Sequence, residues 1–241
     1  MKNAGFWSAA ILAVGVALGG YFVGNGFFRG RAADRTVTVK GVSERDVTAD
    51  VALWPLRFVA TNDDLAKAQA EIKQSHQKVL AFLEKQGIDP KSAEVARLEV
   101  NDLLANPYRS GPMESRYIVA QTVMVRTNEP ATVVKASQNV GELVDAGVVL
   151  SSQGGYESDP TYLFTRLNDL KPEMIAEATA QARRAAEQFA KDSGSRIGRI
   201  RQANQGLFEI LPRDRAPGIF EAGQLYKTVR VVSTVDYYLR D

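Results

Sequence analysis

Ala178, Ala182, Ala186 and Ala190, then Gly194 and Gly198, set a tiny side chain at every fourth position. Because a helical turn takes about 3.6 residues, such a row stays near one face and winds slowly around it. Side chains this small let a helix lie close against its neighbour, so the chain must contain one helix pressed tightly onto another layer. Met174, Ile175, Ala185 and Phe189 extend the expected buried face, while Arg183, Arg184, Glu187, Gln188 and Lys191 supply the wet side. Gly194 is expected to stop the helix and Gly198 to open the next strand. The row thus reads as a structural helix seam at Ala178, Ala182, Ala186 and Ala190, rather than as a binding site.

Around that helix the pattern alternates between strand and helix. Residues 36–41 alternate and end in glycine, which predicts a strand. Residues 46–60 read as a second, longer strand with Val47, Ala49, Val51 and Leu53 on one face; Pro55 demands an edge position or a bulge there. Asn62, Asp63 and Asp64 offer caps for a helix reaching Gly87, with Leu65, Ala68, Ile72, Val79, Leu80 and Leu83 as its stripe. Residues 93–105 and 116–127 predict two strands around the turn-rich connection 106–112. Asn128 is expected to cap a helix over 130–145, with Pro130 in its first turn. A short strand follows at 148–150 and another at 161–167. Asn168 and Asp169 are expected to cap the alanine helix, with Pro172 and Glu173 in its first turn. Strands at 197–211 and 225–239 flank a turn region at 213–223.

These elements form the order strand–helix–strand–strand twice, over about 46–127 and 156–240, joined by the helix at 130–145. The expected fold class is α+β: two such units, with mainly antiparallel sheets packed on helices, preceded by one N-terminal transmembrane helix.

That last element comes from residues 6–28, which are 23 residues without a charge. As a helix they would span roughly 34 Å, against a bilayer core of about 30 Å. Residues 1–31 therefore read as a membrane anchor, with a cleaved signal peptide as the alternative; the run is longer than a usual signal-peptide core. Gly15 and Gly19, and likewise Gly20 and Gly24, have the spacing that lets two membrane helices approach, although glycine is also common in such spans. Lys2 lies before the run and Arg29 and Arg31 after it, so charge does not orient it.

Those three residues also explain the net charge of +2: without them 27 basic residues face 28 acidic ones. The soluble part is not a basic nucleic-acid surface, and no nucleic-acid partner is expected. There is no cysteine and a single histidine, His76. Disulfides, thiolate metal sites and a cysteine nucleophile are excluded, and no metal or cofactor is expected. His76 sits among polar helix positions and reads as a surface residue. Asn62, Asp63 and Asp64 read as a cap, not a metal cluster. Arg196, Arg199, Arg201, Arg213, Arg215 and Arg230 are diluted by Glu209, Asp214 and Glu221 and lack interleaved aromatics, so a subunit interface or salt-bridged surface is expected there. No motif for nucleophilic, zinc or phosphate chemistry is present.

Several strings resemble a known family: Val39-Lys40-Gly41 before Asp50-Val51-Ala52, Asn106-Pro107-Tyr108, Tyr117-Ile118-Val119, and above all Ala176-Glu177-Ala178 through Ala182-Arg183, Ala186, Ala190, Gly194 and Gly198. The chain resembles the SIMPL-domain family of YggE-like oxidative-stress defence and periplasmic immunogenic proteins, over residues 36–240. Ala49 stands where that family usually has proline. The resemblance implies a protein exported to the Gram-negative envelope, often assembling into ring-like oligomers, without established catalytic residues. It also implies the orientation: a single pass in the inner membrane with the C-terminal domain in the periplasm, or a cleaved soluble periplasmic form.

The leading expectation is therefore a membrane-anchored periplasmic protein, not an enzyme, that self-associates as a homo-oligomer and serves envelope or oxidative-stress defence. The alternative is a binding module or holdase for envelope proteins or lipids, which predicts an exposed apolar patch on a sheet face or in the 213–223 loop. A third reading, a carboxylate-based enzyme, needs two acids with opposed environments in one cleft.

Overall fold

Alternating apolar residues and helix caps resolve into nine strands and five α-helices among the residues that this computed structural model describes. Those are 4–32, 35–105, 115–151 and 159–240, with side chains for 12–26 of the first stretch. In chain order they are α1 Ala4–Ala32, β1 Thr36–Thr48, β2 Val51–Asn62, α2 Leu65–Lys85, β3 Ala93–Asp102, β4 Tyr117–Thr127, α3 Pro130–Gln138, α4 Gly141–Asp145, β5 Val149–Leu150, β6 Thr161–Leu163, α5 Leu167–Asp192, β7 Arg196–Gln205, β8 Glu209–Pro212 and β9 Tyr226–Arg240. The expected connection at 106–112 lies outside the described residues.

The strands form two sheets. One has the order β3-β4-β2-β5, with β6 also on β2; the other has the order β1-β9-β7, with β8 on β9. The class is α+β with antiparallel pairing. One expectation fails here. The strand expected to open the second unit, β6, pairs with β2 in the first sheet, and β1 takes the corresponding place beside β9. Each sheet thus sets the strand after its helix (β3 or β7) against the last strand (β4 or β9), whose other neighbour is β2 or β1. The chain divides into two compact units: unit 1 is Met1–Glu44, Lys171–Glu209 and Arg230–Asp241; unit 2 is Arg45–Leu170 and Ile210–Val229.

In unit 2 the helix face and sheet face meet through bulky residues. Ala52, Trp54, Leu56, Phe58 and Ala60 of β2 are buried with Val119, Val123 and Val125 of β4 and Ile72, Val79, Phe82 and Leu83 of α2. Trp54 and Phe82 meet edge to face at 6.4 Å. The inward face of β2 is thus the even-numbered one. The face expected from Val47, Ala49, Val51 and Leu53 is not continuous, because the chain leaves extended pairing at Ala49–Asp50 and restarts. Pro55 is accommodated without a bulge, since the β2–β4 register runs unbroken past it. On the other side of β2, Pro55 falls between the residues paired with β6 and those paired with β5, where no ladder donor is required.

Of the expected caps, Asp64 serves α2: its carboxylate accepts from the amides of Ala66 at 2.8 Å and Lys67 at 3.4 Å. Leu65, expected in the apolar stripe, is exposed instead. Asn128 does not cap the next helix. Glu129 holds that position without a side-chain bond to the first backbone amides, and the helix expected over 130–145 breaks into α3 and α4 at Asn139–Val140, ahead of the poor helix former Gly141.

In unit 1, Val37, Ala182, Ala186, Val235 and Tyr237 form the buried cluster, with Val39, Ile197 and Leu239 against it. α5 begins at Leu167, earlier than the expected cap at 168–169, so Pro172 lies inside it. The strand expected over 197–211 is split into β7 and β8. Between them, the Gly206 amide donates to Val232 O at 2.8 Å.

α1 is continuous, and Leu12, Val14, Val16, Leu18, Phe22 and Val23 are all more than half exposed. Among the described residues, however, no helix is long and apolar enough to cross a membrane. The described structure does not supply the transmembrane helix of the expected architecture.

Candidate functional site

The seam alanines are buried in α5: Ala178, Ala182 and Ala186 are fully inaccessible and Ala190 nearly so. Opposite them runs Gly41 of β1. A Cβ at Gly41 would lie on the carbonyl oxygen of Ala178 and 2.5 Å from the amide nitrogen of Ala182. Strand backbone therefore touches helix backbone, which requires glycine on one side and alanine on the other. The alternation of residues 36–41 predicts a strand that ends at Gly41; β1 instead continues through it to Thr48. Two other expectations are corrected. Ala185 and Phe189 are exposed, Phe189 at 51%, because they point away from the side that faces Gly41. Gly194 takes φ +68° at the helix end, and Gly198 lies on β7.

Gly15, Gly19, Gly20 and Gly24 are all on α1. A Cβ added at any of them would meet nothing within 4 Å in this chain.

In unit 2 three polar clusters and one apolar stripe stand out. At the first, Asp50 accepts from the amide and the hydroxyl of Thr165, each at 2.7 Å, with the Arg166 guanidinium at 3.7 Å. Burial alone pushes the Asp50 carboxyl up, but the Thr165 bonds and the Arg166 charge together bring it below its ordinary value. A cavity of about 320 Å³ lies beside it, lined by Val47, Thr48, Phe164, Arg166, Asp169 and Leu170. At the second, Arg116 donates to both oxygens of Asp102, at 3.2 and 2.9 Å, which lowers the carboxyl and raises the guanidinium. Its own amide donates to Asp63 at 3.0 Å. The expected cap cluster is thereby divided: Asp64 caps α2, Asp63 holds Arg116, and the Asn62 amide group donates to Glu71. Among the described residues no group of three or more His, Asp or Glu could hold a metal ion. Asp50 and Asp102 are both lowered, so neither is the raised member that an acid–base pair requires.

The third cluster is at the start of β9. Lys227 is fully buried; its ammonium donates to the Glu221 backbone oxygen at 2.6 Å and to the Glu221 carboxylate. Sequence reading missed it, although a signal exists: odd positions of β9 point inward from Val229 to Tyr237, and 227 is in phase with them. Of the C-terminal arginines, Arg213 pairs with Asp214 and lies 4.5 Å over the Tyr226 ring, Arg199 lies over Tyr238, and Arg230 approaches Glu44 at 3.4 Å.

The apolar stripe is on β3. Its one strand partner among the described residues is β4, and no described strand pairs with its other edge. Val95, Leu98 and Val100 pair with Val123, Gln121 and Val119, which places them on the sheet face that α2 covers farther in. At the edge they are 51%, 55% and 53% exposed. Sequence reading identified the strand but had no signal for which strand lies at the edge.

Comparison with known proteins adds one match. A family model, SIMPL, described as Protein of unknown function (DUF541), matches residues 37–237. No curated protein matches the chain.

Proposed function

This chain belongs to the SIMPL family, and from that premise we propose that it is a periplasmic protein, held at the inner membrane by its N-terminal helix, that works by self-assembly in envelope or oxidative-stress defence. The observation that carries the reading is the apolar edge of β3. A long exposed edge strand is a template for pairing, and soluble chains usually blunt it. Here a register shift between Val95 and Arg97 and the charges of Glu94, Arg97 and Glu99 blunt it in part, yet three exposed apolar side chains still line it. The pattern also suits a second copy: placed antiparallel to itself about Leu98, the strand sets Leu98 against Leu98 and Arg97 against Glu99 of the other copy. The glycine spacing of α1 is consistent with helix contact in the same assembly.

Mass measurement of the full chain in mild detergent tests this. The wild-type chain is expected to be a multimer. Leu98→Lys with Val100→Lys is expected to yield a smaller species with an unchanged circular dichroism spectrum. A strictly monomeric wild-type chain overturns the reading, as does a double variant that assembles normally. Cell fractionation with N-terminal sequencing distinguishes a retained anchor from a cleaved, soluble periplasmic form. A second reading, a binding module or holdase for envelope proteins or lipids, is favoured by the exposed Ile219 and Phe220 in the 213–223 loop.

A further inference from the structure

The loop from β8 to β9 holds apolar side chains in water while its base is fastened. Ala216, Pro217, Gly218 and Ile219 form a turn in which the Ile219 amide donates to Ala216 O at 3.1 Å, with Gly218 at φ +81°. Proline second and a positive-φ glycine third are the residues such a turn demands. The turn delivers Ile219 and Phe220 to the tip, 42% and 78% exposed. On both sides of the tip the chain is tied down. The Asp214 amide donates to the Gln224 side chain at 3.4 Å, and the Gln224 side-chain amide returns a bond to Asp214 O at 3.2 Å. Directly after Phe220, the buried Lys227 grips both the backbone and the carboxylate of Glu221. Burying an ammonium is costly unless it is paired, and this one is committed to holding a surface loop in shape. An apolar tip fixed in this way is presented to something.

The charges at the loop base narrow what that is. Glu221 is occupied by Lys227 and Asp214 by Arg213. Arg215 is exposed and has no ion-pair partner among the described residues. Tyr226, 47% exposed, lies under Arg213. Two exposed apolar residues, with Tyr226 and the unpaired Arg215 in the same loop and at its base, are the residue types that a bilayer interface takes up: apolar groups in the acyl boundary, tyrosine at headgroup level and arginine at the phosphates.

We infer that the 213–223 loop is a lipid-contact tip: Ile219 and Phe220 enter the acyl boundary of an anionic leaflet, and Arg215 meets its phosphates. The inference rests on the membrane-held reading above. Because the chain has no cysteine, Phe220→Cys provides a single site for an environment-sensitive fluorophore, and Gln77→Cys on the exposed side of α2 provides the reference. The labelled full chain is reconstituted into phosphatidylcholine vesicles with or without phosphatidylglycerol. At 220 the expected result is a blue shift and several-fold quenching by nitroxide-bearing lipid, stronger with phosphatidylglycerol. With Arg215→Ser added, the phosphatidylglycerol enhancement is expected to vanish. The label at 77 stays water-like throughout. Emission at 220 that matches 77 overturns the inference; so does a shift that appears only when an envelope protein extract is added. Vesicle flotation reports anchoring separately. A chain that floats with a water-exposed 220 removes the lipid tip and leaves anchoring intact, whereas a chain that does not float removes both.

Discussion

In unit 2, α2 meets its sheet through Ile72, Val79, Phe82 and Leu83, set against Trp54, Leu56 and Phe58. In unit 1, α5 meets its sheet through alanines, close enough that Gly41 lies against the α5 backbone itself. The strand order around the two helices is equivalent, yet one interface is filled by side-chain volume and the other by backbone proximity. A volume-filled interface is sensitive to removing atoms, because a cavity remains. A proximity-filled interface is sensitive to adding them, because backbone cannot rotate out of the way as a side chain can. The difference teaches that one topology tolerates opposite kinds of mutation in its two copies.

The sharpest way to break the comparison is Gly41→Val. No rotamer relieves a Cβ that coincides with a helix carbonyl, so we expect a loss of at least ~4 kcal/mol, beyond the usual range for point mutants. Amide exchange should rise first in α5 and the end of β9. Near-native protection of α5 in that variant would refute the backbone contact. Next in size is Trp54→Ala in unit 2, expected to cost about 3–5 kcal/mol from lost burial and the cavity left behind; denaturant unfolding measures it. Smaller again is a paired test on α5. Ala182→Leu should cost about 1–3 kcal/mol by overpacking, whereas Ala185→Leu, three positions on but exposed, should stay within ~0.5 kcal/mol. Equal costs for the two leucines would erase the seam.

Much of this fold was legible in the sequence because it is encoded locally. The small-residue row, the Asp64 cap and the alternation of β3, β4 and β9 are properties of a few adjacent residues. What was not legible depends on partners distant in the chain. The two faces of β2 are both apolar, so the phase set by the break at Ala49–Asp50 could not be chosen from periodicity alone. β6 alternates as a strand should, but its partner, β2, is about a hundred residues earlier. Gly41 has the composition of a strand end and the role of a helix-contact position, and only the far-off Ala178 and Ala182 distinguish them. The candidate surfaces follow the same division. The 213–223 loop was marked by its glycine, proline and charged residues, whereas the place of β3 at the end of the described sheet is a fact about strand order, which no local pattern records.

Acid provides the mildest probe of the same comparison, because the seam of unit 1 is built from groups that do not titrate. Unit 2, by contrast, is tied by Asp50 to Thr165 and by Asp102 to Arg116. Both carboxyls are held below their ordinary value in the folded chain, so the folded state binds their protons less readily than the unfolded state does. Their contribution is fully present above the ordinary carboxylate pKa of about 4 and is lost as pH falls through the lower folded values. Protection of unit 2 amides should therefore decline below about pH 4 before that of the α5 amides. Asp50→Asn keeps an acceptor for Thr165 but removes the charge. It should cost about 1 kcal/mol or less at neutral pH and remove part of the acid dependence. If the variant's stability falls with acid as steeply as the wild type's, Asp50 is not one of the groups that acid acts on, and the weakness of unit 2 in acid comes from its other carboxylates, Asp102 among them.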